Sequence, residues 1–178
     1  MKLYVIRHGQ TKCNKENKYN CRLDEDINEI GIKQAEEASK IVKNLDIDLI
    51  ICSPMIRTKH TCEIVNVNNI PVIYDERIME RDGGVLTNTI IDDYYITDYY
   101  NYYSTNIPDG LETLPELFNR IHAFIDDIKE KYSDKNILLV THGAVARTIK
   151  YYFEPLPEDG LILNTSGQKN CEVKEYEL

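Results

Sequence analysis

Apolar residues along this chain fall into two alternating spacings. Short continuous runs occupy Lys2–Ile6, Leu49–Cys52, Pro71–Tyr74 and Asn136–Thr141, with a weaker one at Cys171–Tyr176. Runs of this length bounded by turn residues predict strands, the last of them at a sheet edge. Between them the apolar positions recur every third or fourth residue. Ile32, Ala35, Ala38, Ile41, Val42 and Leu45 form one stripe behind Asn28, a residue suited to an N-cap. Leu117, Phe118, Ile121, Phe124, Ile125 and Ile128 form another, opened by the capping-box sequence Thr113-Leu114-Pro115-Glu116. A helix starting at Ser53 with Pro54 in its first turn, and one over Ala144–Phe153, complete the set. Alternating strand and helix patterns predict an α/β fold: a three-layer sandwich with a mostly parallel sheet between helices.

The 178 residues are expected to form a single domain, 1–178. One stretch breaks the alternation. Val85 to Asp109 carries Tyr94, Tyr95, Tyr99, Tyr100, Tyr102 and Tyr103 among Asp and Asn residues. An insertion of this kind is expected to be a lid or cap over a site; a structural cover for the sheet or an oligomer contact is the competing explanation.

Charge narrows the partners. A formal charge of −9 argues against broad binding to nucleic acid or anionic membranes. No run is apolar for long enough to span a bilayer, and the chain opens on a strand with no signal-peptide pattern, so a cytoplasmic protein is expected. Homo-oligomers are compatible with this composition. Cys13, Cys21, Cys52, Cys62 and Cys171 include no C-x-x-C spacing, which predicts reduced packing thiols rather than disulfides or a zinc site.

Two strand candidates end alike. Leu3-Tyr4-Val5-Ile6 runs into Arg7-His8-Gly9, and Leu138-Leu139-Val140-Thr141 into His142-Gly143. Ligands of open α/β sheets bind at the carboxyl ends of strands. There a glycine lets backbone approach a bound group, an arginine offers a planar fork to phosphate, and a histidine can act as nucleophile. An acidic chain that gathers such cations in one place is expected to bind an anion there.

With these cassettes the chain resembles the histidine phosphatase superfamily, the phosphoglycerate mutase-like family. Asn14 closes an Arg-His-Gly-x-Thr-x-x-Asn pattern, Asp26 to Ala35 looks like the opening of the family's first helix, Ser53-Pro54-Met55-Ile56-Arg57-Thr58 resembles its second phosphate-binding arginine motif, and Met79-Glu80-Arg81-Asp82 its general-acid segment. The resemblance implies that His8 is the nucleophile, becoming phosphohistidine, and that Arg7 and Arg57 clamp the phosphate. It implies that His142 donates to the phosphate, that Glu80 is the acid/base with Glu76 as rival, and that Gln10, Asn14 and Gly143 complete the phosphate pocket. No cofactor and no metal is implied. The expected activity is hydrolysis of a small phosphorylated metabolite; a mutase, a phosphatase of protein phosphohistidine and an inactive phosphate-binding module are the alternatives. Cys21 stands where many relatives carry Gly, and Gly83 to Asn88 depart from the family pattern of an aromatic, then Gly, with an acidic residue and a further Gly beyond.

Overall fold

A computed structural model describes residues 1–163 and 167–178, and of Asp93 and Tyr94 the backbone. Five strands form one sheet in the order β3-β2-β4-β1-β5. They are β1 (Lys2–Arg7), β2 (Leu49–Cys52), β3 (Val72–Tyr74), β4 (Ile137–Thr141) and β5 (Val173–Glu177). The three pairings among β1 to β4 are parallel, and β5 adds antiparallel to β1 at the edge. The α/β architecture expected from the alternation is present.

Side-chain alternation on the strands builds both outer layers. Leu3, Val5, Leu49, Ile51, Ile137 and Leu139 face one core; Tyr4, Ile6, Ile50, Cys52, Leu138 and Val140 face the other. The first core is closed by α5 (Leu114–Lys131) and α6 (Gly143–Phe153), the second by α2 (Glu29–Val42) and α3 (Ile56–Val65). The α5 stripe, Leu117 to Ile128, is buried as predicted, with Leu114 added to it, and Thr113 and Glu116 make the capping box. Burying each Leu, Ile or Phe contributes roughly 1.5–3 kcal/mol, so this helix anchors its layer. Asn28 caps α2 through Ile30 N and Gly31 N. In that helix Ile41 is 55 % exposed and lies off the buried stripe.

The second helix begins later than its Ser-Pro signal predicts. Its N-cap is Met55, so Arg57 lies in the first turn. The reason is local. Ser53 N still donates to Val140 O, prolonging the strand, and the Ser53 hydroxyl is engaged by His142 rather than by the helix. Asp24 caps instead, accepting from Ile56 N at 2.8 Å. A four-residue α1 (Lys12–Lys15), closed by a Thr11–Asn14 capping box, follows the first cassette. The tyrosine-rich stretch contains α4 (Asp93–Tyr99). Tyr99 packs with Tyr19, Cys21 and Leu111, whereas Tyr100 and Tyr102 also reach the α5–α6 core. The Tyr94 side chain lies outside the described residues.

Candidate active site

Both cassettes open at the carboxyl ends of β1 and β4, which are neighbours in the sheet with Arg7 opposite Thr141. His8 is buried, its N–H bound to Thr141 O at 2.9 Å and its carbonyl accepting from Asn170 Nδ2 at 2.8 Å. Its Nδ1 lies 2.8 Å from Gly9 O. A carbonyl can only accept, so Nδ1 carries the hydrogen and Nε2 the lone pair. Gly9 N in turn donates to Thr61 Oγ1 at 3.0 Å. The imidazole is therefore fixed in both orientation and tautomer.

His8 and Arg7 line a cavity of ≈ 110 Å³ together with Asn14, Glu80, Gly143 and Ala144. Gly143 lies against Arg7: a Cβ there would meet the guanidinium carbon at 3.4 Å, an ordinary van der Waals contact. Arg7 Nη1 donates to Gln168 O at 3.0 Å, while its buried Nε has no hydrogen-bond partner among the described residues. Asn14 Oδ1 accepts from Thr11 N and Asn170 Nδ2. The Glu80 carboxylate meets the start of α6, accepting from Arg81 N at 2.9 Å and Ala144 N at 3.3 Å. Glu76, the rival acid, sits exposed in a 3₁₀ turn and is not part of the cavity wall.

Arg57 and His142 stand directly behind. His142 is fully buried, with its ring centroid 5.3 Å from that of His8. Arg57 Nε donates to His142 Nδ1 at 3.2 Å, so Nδ1 is the unprotonated nitrogen, and Nε2–H donates to Ser53 Oγ at 2.7 Å. Both ring nitrogens are committed. Arg57 also donates from Nη1 to Leu23 O and from Nη2 to Cys21 O, each at 2.7 Å. A guanidinium has five N–H groups, which leaves one on each Nη. Gln10 is not brought into this group. Its Oε1 accepts from Asn28 Nδ2 at 3.0 Å, so the side chain buttresses the cap of α2. His60 pairs with Asp26, His122 of α5 packs beside Phe118 and Tyr152, and neither lines the cavity.

Several cavity residues carry no motif. Arg147 lies four residues after Gly143, one helical turn along the same face, and that spacing is a signal the sequence contained. Its guanidinium stacks 4.8 Å over the Tyr100 ring and donates to Ile162 O. Ile91, Tyr99 and Tyr100 bring the inserted stretch to the cavity wall, with Tyr99 packed against Tyr19 and Cys21. The two departures at positions 21 and 83 turn out to be one feature. A Cβ on Gly83 would lie 2.2 Å from Cys21 Sγ, so the thiol occupies the space that a side chain at 83 would need. Cys21 itself has φ +47°, the left-handed backbone in which Gly is at ease. All five cysteines are free and buried, and burial pushes the Cys21 thiol up to about 11.

Burial, reinforced by Arg57 and Arg7, holds His8 well below the ordinary imidazole range. Burial, then Arg57, His8 and Arg7, does the same to His142. Both rings stay neutral in the folded chain where the unfolded chain would protonate them. Stability is therefore flat above pH ~6.5 and falls as the pH drops below it, by roughly 1.4 kcal/mol per pH unit for each ring. Urea midpoints at pH 6.5 and 5.5 measure this, and His142→Gln is expected to remove about half of the difference. Equal midpoints for the wild type would contradict the buried neutral pair.

Comparison with known proteins agrees with this geometry. The histidine phosphatase superfamily (branch 1) model matches residues 3–178, and the chain belongs to that superfamily. It is a phosphatase of that group, 31% identical over 82% of its length to 73% of "Uncharacterized phosphatase PhoE" of Bacillus subtilis. It is 27% identical over 84% of its length to 74% of "Phosphoserine phosphatase 1" of Hydrogenobacter thermophilus. Among solved structures, Bacillus stearothermophilus YhfR superposes with a TM-score of 0.88 at 25% identity, over 99% of this chain and 91% of that one. The alpha-ribazole phosphatase from Shigella flexneri shares the fold, with a TM-score of 0.84 at 23% identity over 100% of this chain and 91% of that one. Among the described residues no helix is long and apolar enough to cross a membrane, and no three His, Cys, Asp or Glu side chains converge as a metal-ligand set.

Proposed function

We propose that the chain hydrolyses a small phosphomonoester through a phosphohistidine on His8, without a metal ion. The observation that carries this is the His8 tautomer: Nδ1–H is spent on Gly9 O, so the Nε2 lone pair is available beside Arg7 and Glu80. His8 Nε2 attacks phosphorus as the bond to the ester oxygen breaks, and the Glu80 carboxyl delivers its proton to that oxygen. In the second half the Glu80 carboxylate takes a proton from water, the hydroxide attacks phosphorus, and the P–N bond breaks to release phosphate. Arg7, Asn14 and the two uncommitted N–H groups of Arg57 hold the phosphoryl oxygens, where positioning and charge dominate the chemistry. For His142 to donate, the ring takes its other neutral tautomer: Nε2 accepts from the Ser53 hydroxyl, and Nδ1 carries the hydrogen once Arg57 Nε turns away.

The small cavity and the relatives named phosphoserine phosphatase and alpha-ribazole phosphatase support a small phosphorylated metabolite as partner, with neither nucleic acid nor membrane involved. The wall formed by Ile91, Tyr99 and Tyr100 supports the inserted stretch as the cap that selects the leaving group. The site and the acidic charge fit a cytoplasmic enzyme. The test is turnover of p-nitrophenyl phosphate and of a phosphometabolite panel, with and without chelator. Release of inorganic phosphate that survives chelation is expected. Activity lost on chelation, or phosphoryl transfer back to substrate in place of release, would refute the proposal.

A further inference from the structure

Residues 21 to 23 form a turn that the reaction scheme leaves unused, yet it touches both ends of the site. Cys21 O and Leu23 O converge on the Arg57 guanidinium. Arg22, between them, reaches the opposite way: its Nε donates to Glu80 O at 3.1 Å, Nη1 lies 3.5 Å from Asp82, and Nη2 4.0 Å from Glu112. Glu112 is itself fixed, accepting from Asp82 N at 3.2 Å and paired with Arg120 at 2.8 Å. The Cys21 thiol abuts Gly83 on the same loop. We infer that Arg22 is a positioning residue for the general acid: by donating to the carbonyl of Glu80 it sets the loop that aims the Glu80 carboxyl into the cavity. This rests on Glu80 being the acid.

The physical argument is one of leverage. Among the described residues, two backbone N–H groups, from Arg81 and Ala144, hold the carboxyl. Its direction also depends on the orientation of the Glu80 peptide, and among the described contacts the Arg22 Nε–H fixes that carbonyl. A planar fork can hold the carbonyl while its two outer nitrogens face Asp82 and Glu112. Arg22 is 37% exposed at its side chain, and surface ion pairs of this kind contribute about 0–1 kcal/mol to stability. Removing it should therefore leave the fold intact and blur only the aim of the acid.

Leaving groups separate these effects. A nitrophenolate departs without help, whereas an alkoxide needs a proton. Arg22→Ala is expected to lower kcat/KM for an alkyl phosphate such as 2-glycerophosphate about ten-fold, part of the 10²–10⁴ general-acid contribution. It should leave p-nitrophenyl phosphate within about two-fold and the thermal midpoint unchanged. In a Glu80→Gln background the same change should cost nothing further, because coupled residues are non-additive. Arg22→Gln gives the same readout should the alanine variant not fold. Equal losses on both esters, or losses that multiply with Glu80→Gln, would overturn the role of Arg22 while the acid stands. If Glu80→Gln itself lowers kcat/KM equally for both esters, the acid assignment fails and Arg22 falls with it.

Discussion

His8→Asn is expected to reduce phosphatase turnover by at least ~10³-fold in a protein that still folds, since loss of a covalent nucleophile costs about as much as losing the whole catalytic group. Asparagine keeps a side-chain N–H that can serve Gly9 O and so preserves the loop, but it has no lone pair to attack phosphorus. The wild type quenched at alkaline pH during turnover should carry one phosphoryl group on His8; acid would cleave the P–N bond and erase it. Burial and two guanidiniums hold the ring neutral well below pH 6.5, so the nucleophile remains competent in mildly acidic solution. A folded His8→Asn variant with near wild-type turnover, or a wild type that never becomes phosphorylated, would remove His8 from the mechanism.

Gly31→Ala is expected to destabilise the protein by roughly 2 kcal/mol, a drop of about 4–8 °C in Tm for a chain of this size. Two effects oppose each other. Alanine is favoured over glycine in a helix by about 1 kcal/mol. But a Cβ at Gly31 would lie 2.4 Å from Gln10 O and 2.7 Å from Gln10 N, and backbone atoms cannot rotate away. Gly9 faces the same helix from the other side: a Cβ there would lie 2.6 Å from Gly31 O. Relief would push α2 off the loop that follows His8, so turnover should fall with stability. A rise in Tm, as helix propensity alone predicts, would show that the loop yields.

Much of this arrangement was legible because its cause is local. The α5 stripe and its capping box lie within one segment, and the strand cassettes announce themselves by an apolar run that stops at His-Gly. What escaped was set by residues distant in sequence. The late start of α3 depends on His142 claiming Ser53 and on Asp24 supplying the cap. Gln10 resembled a pocket residue, but Asn28 takes its carbonyl. Arg57 and His142 were assigned to phosphate, and the structure shows how much of their hydrogen bonding is already committed to one another and to the 21–23 turn. Positions 21 and 83 looked like two separate departures, since only the fold brings the thiol against the glycine. Helix α4 was hidden by a tyrosine- and aspartate-rich composition that has no helical stripe.

The β1–β4 ladder has a consequence for how this enzyme comes into being. The two cassettes belong to opposite ends of the chain and become neighbours only when Leu3 pairs with Ile137 and the register closes up to Arg7 and Thr141. Contacts between distant segments form late, after the loop-closure entropy has been met. Each half can fold its helices and still lack a site, for the His8 N–H reaches Thr141 O and the His8 ring meets that of His142 only when the ladder is zipped. Catalysis is thus a clock for topology: regained turnover dates the joining of the chain's two halves, and helicity recovered before it belongs to a molecule that is still inert.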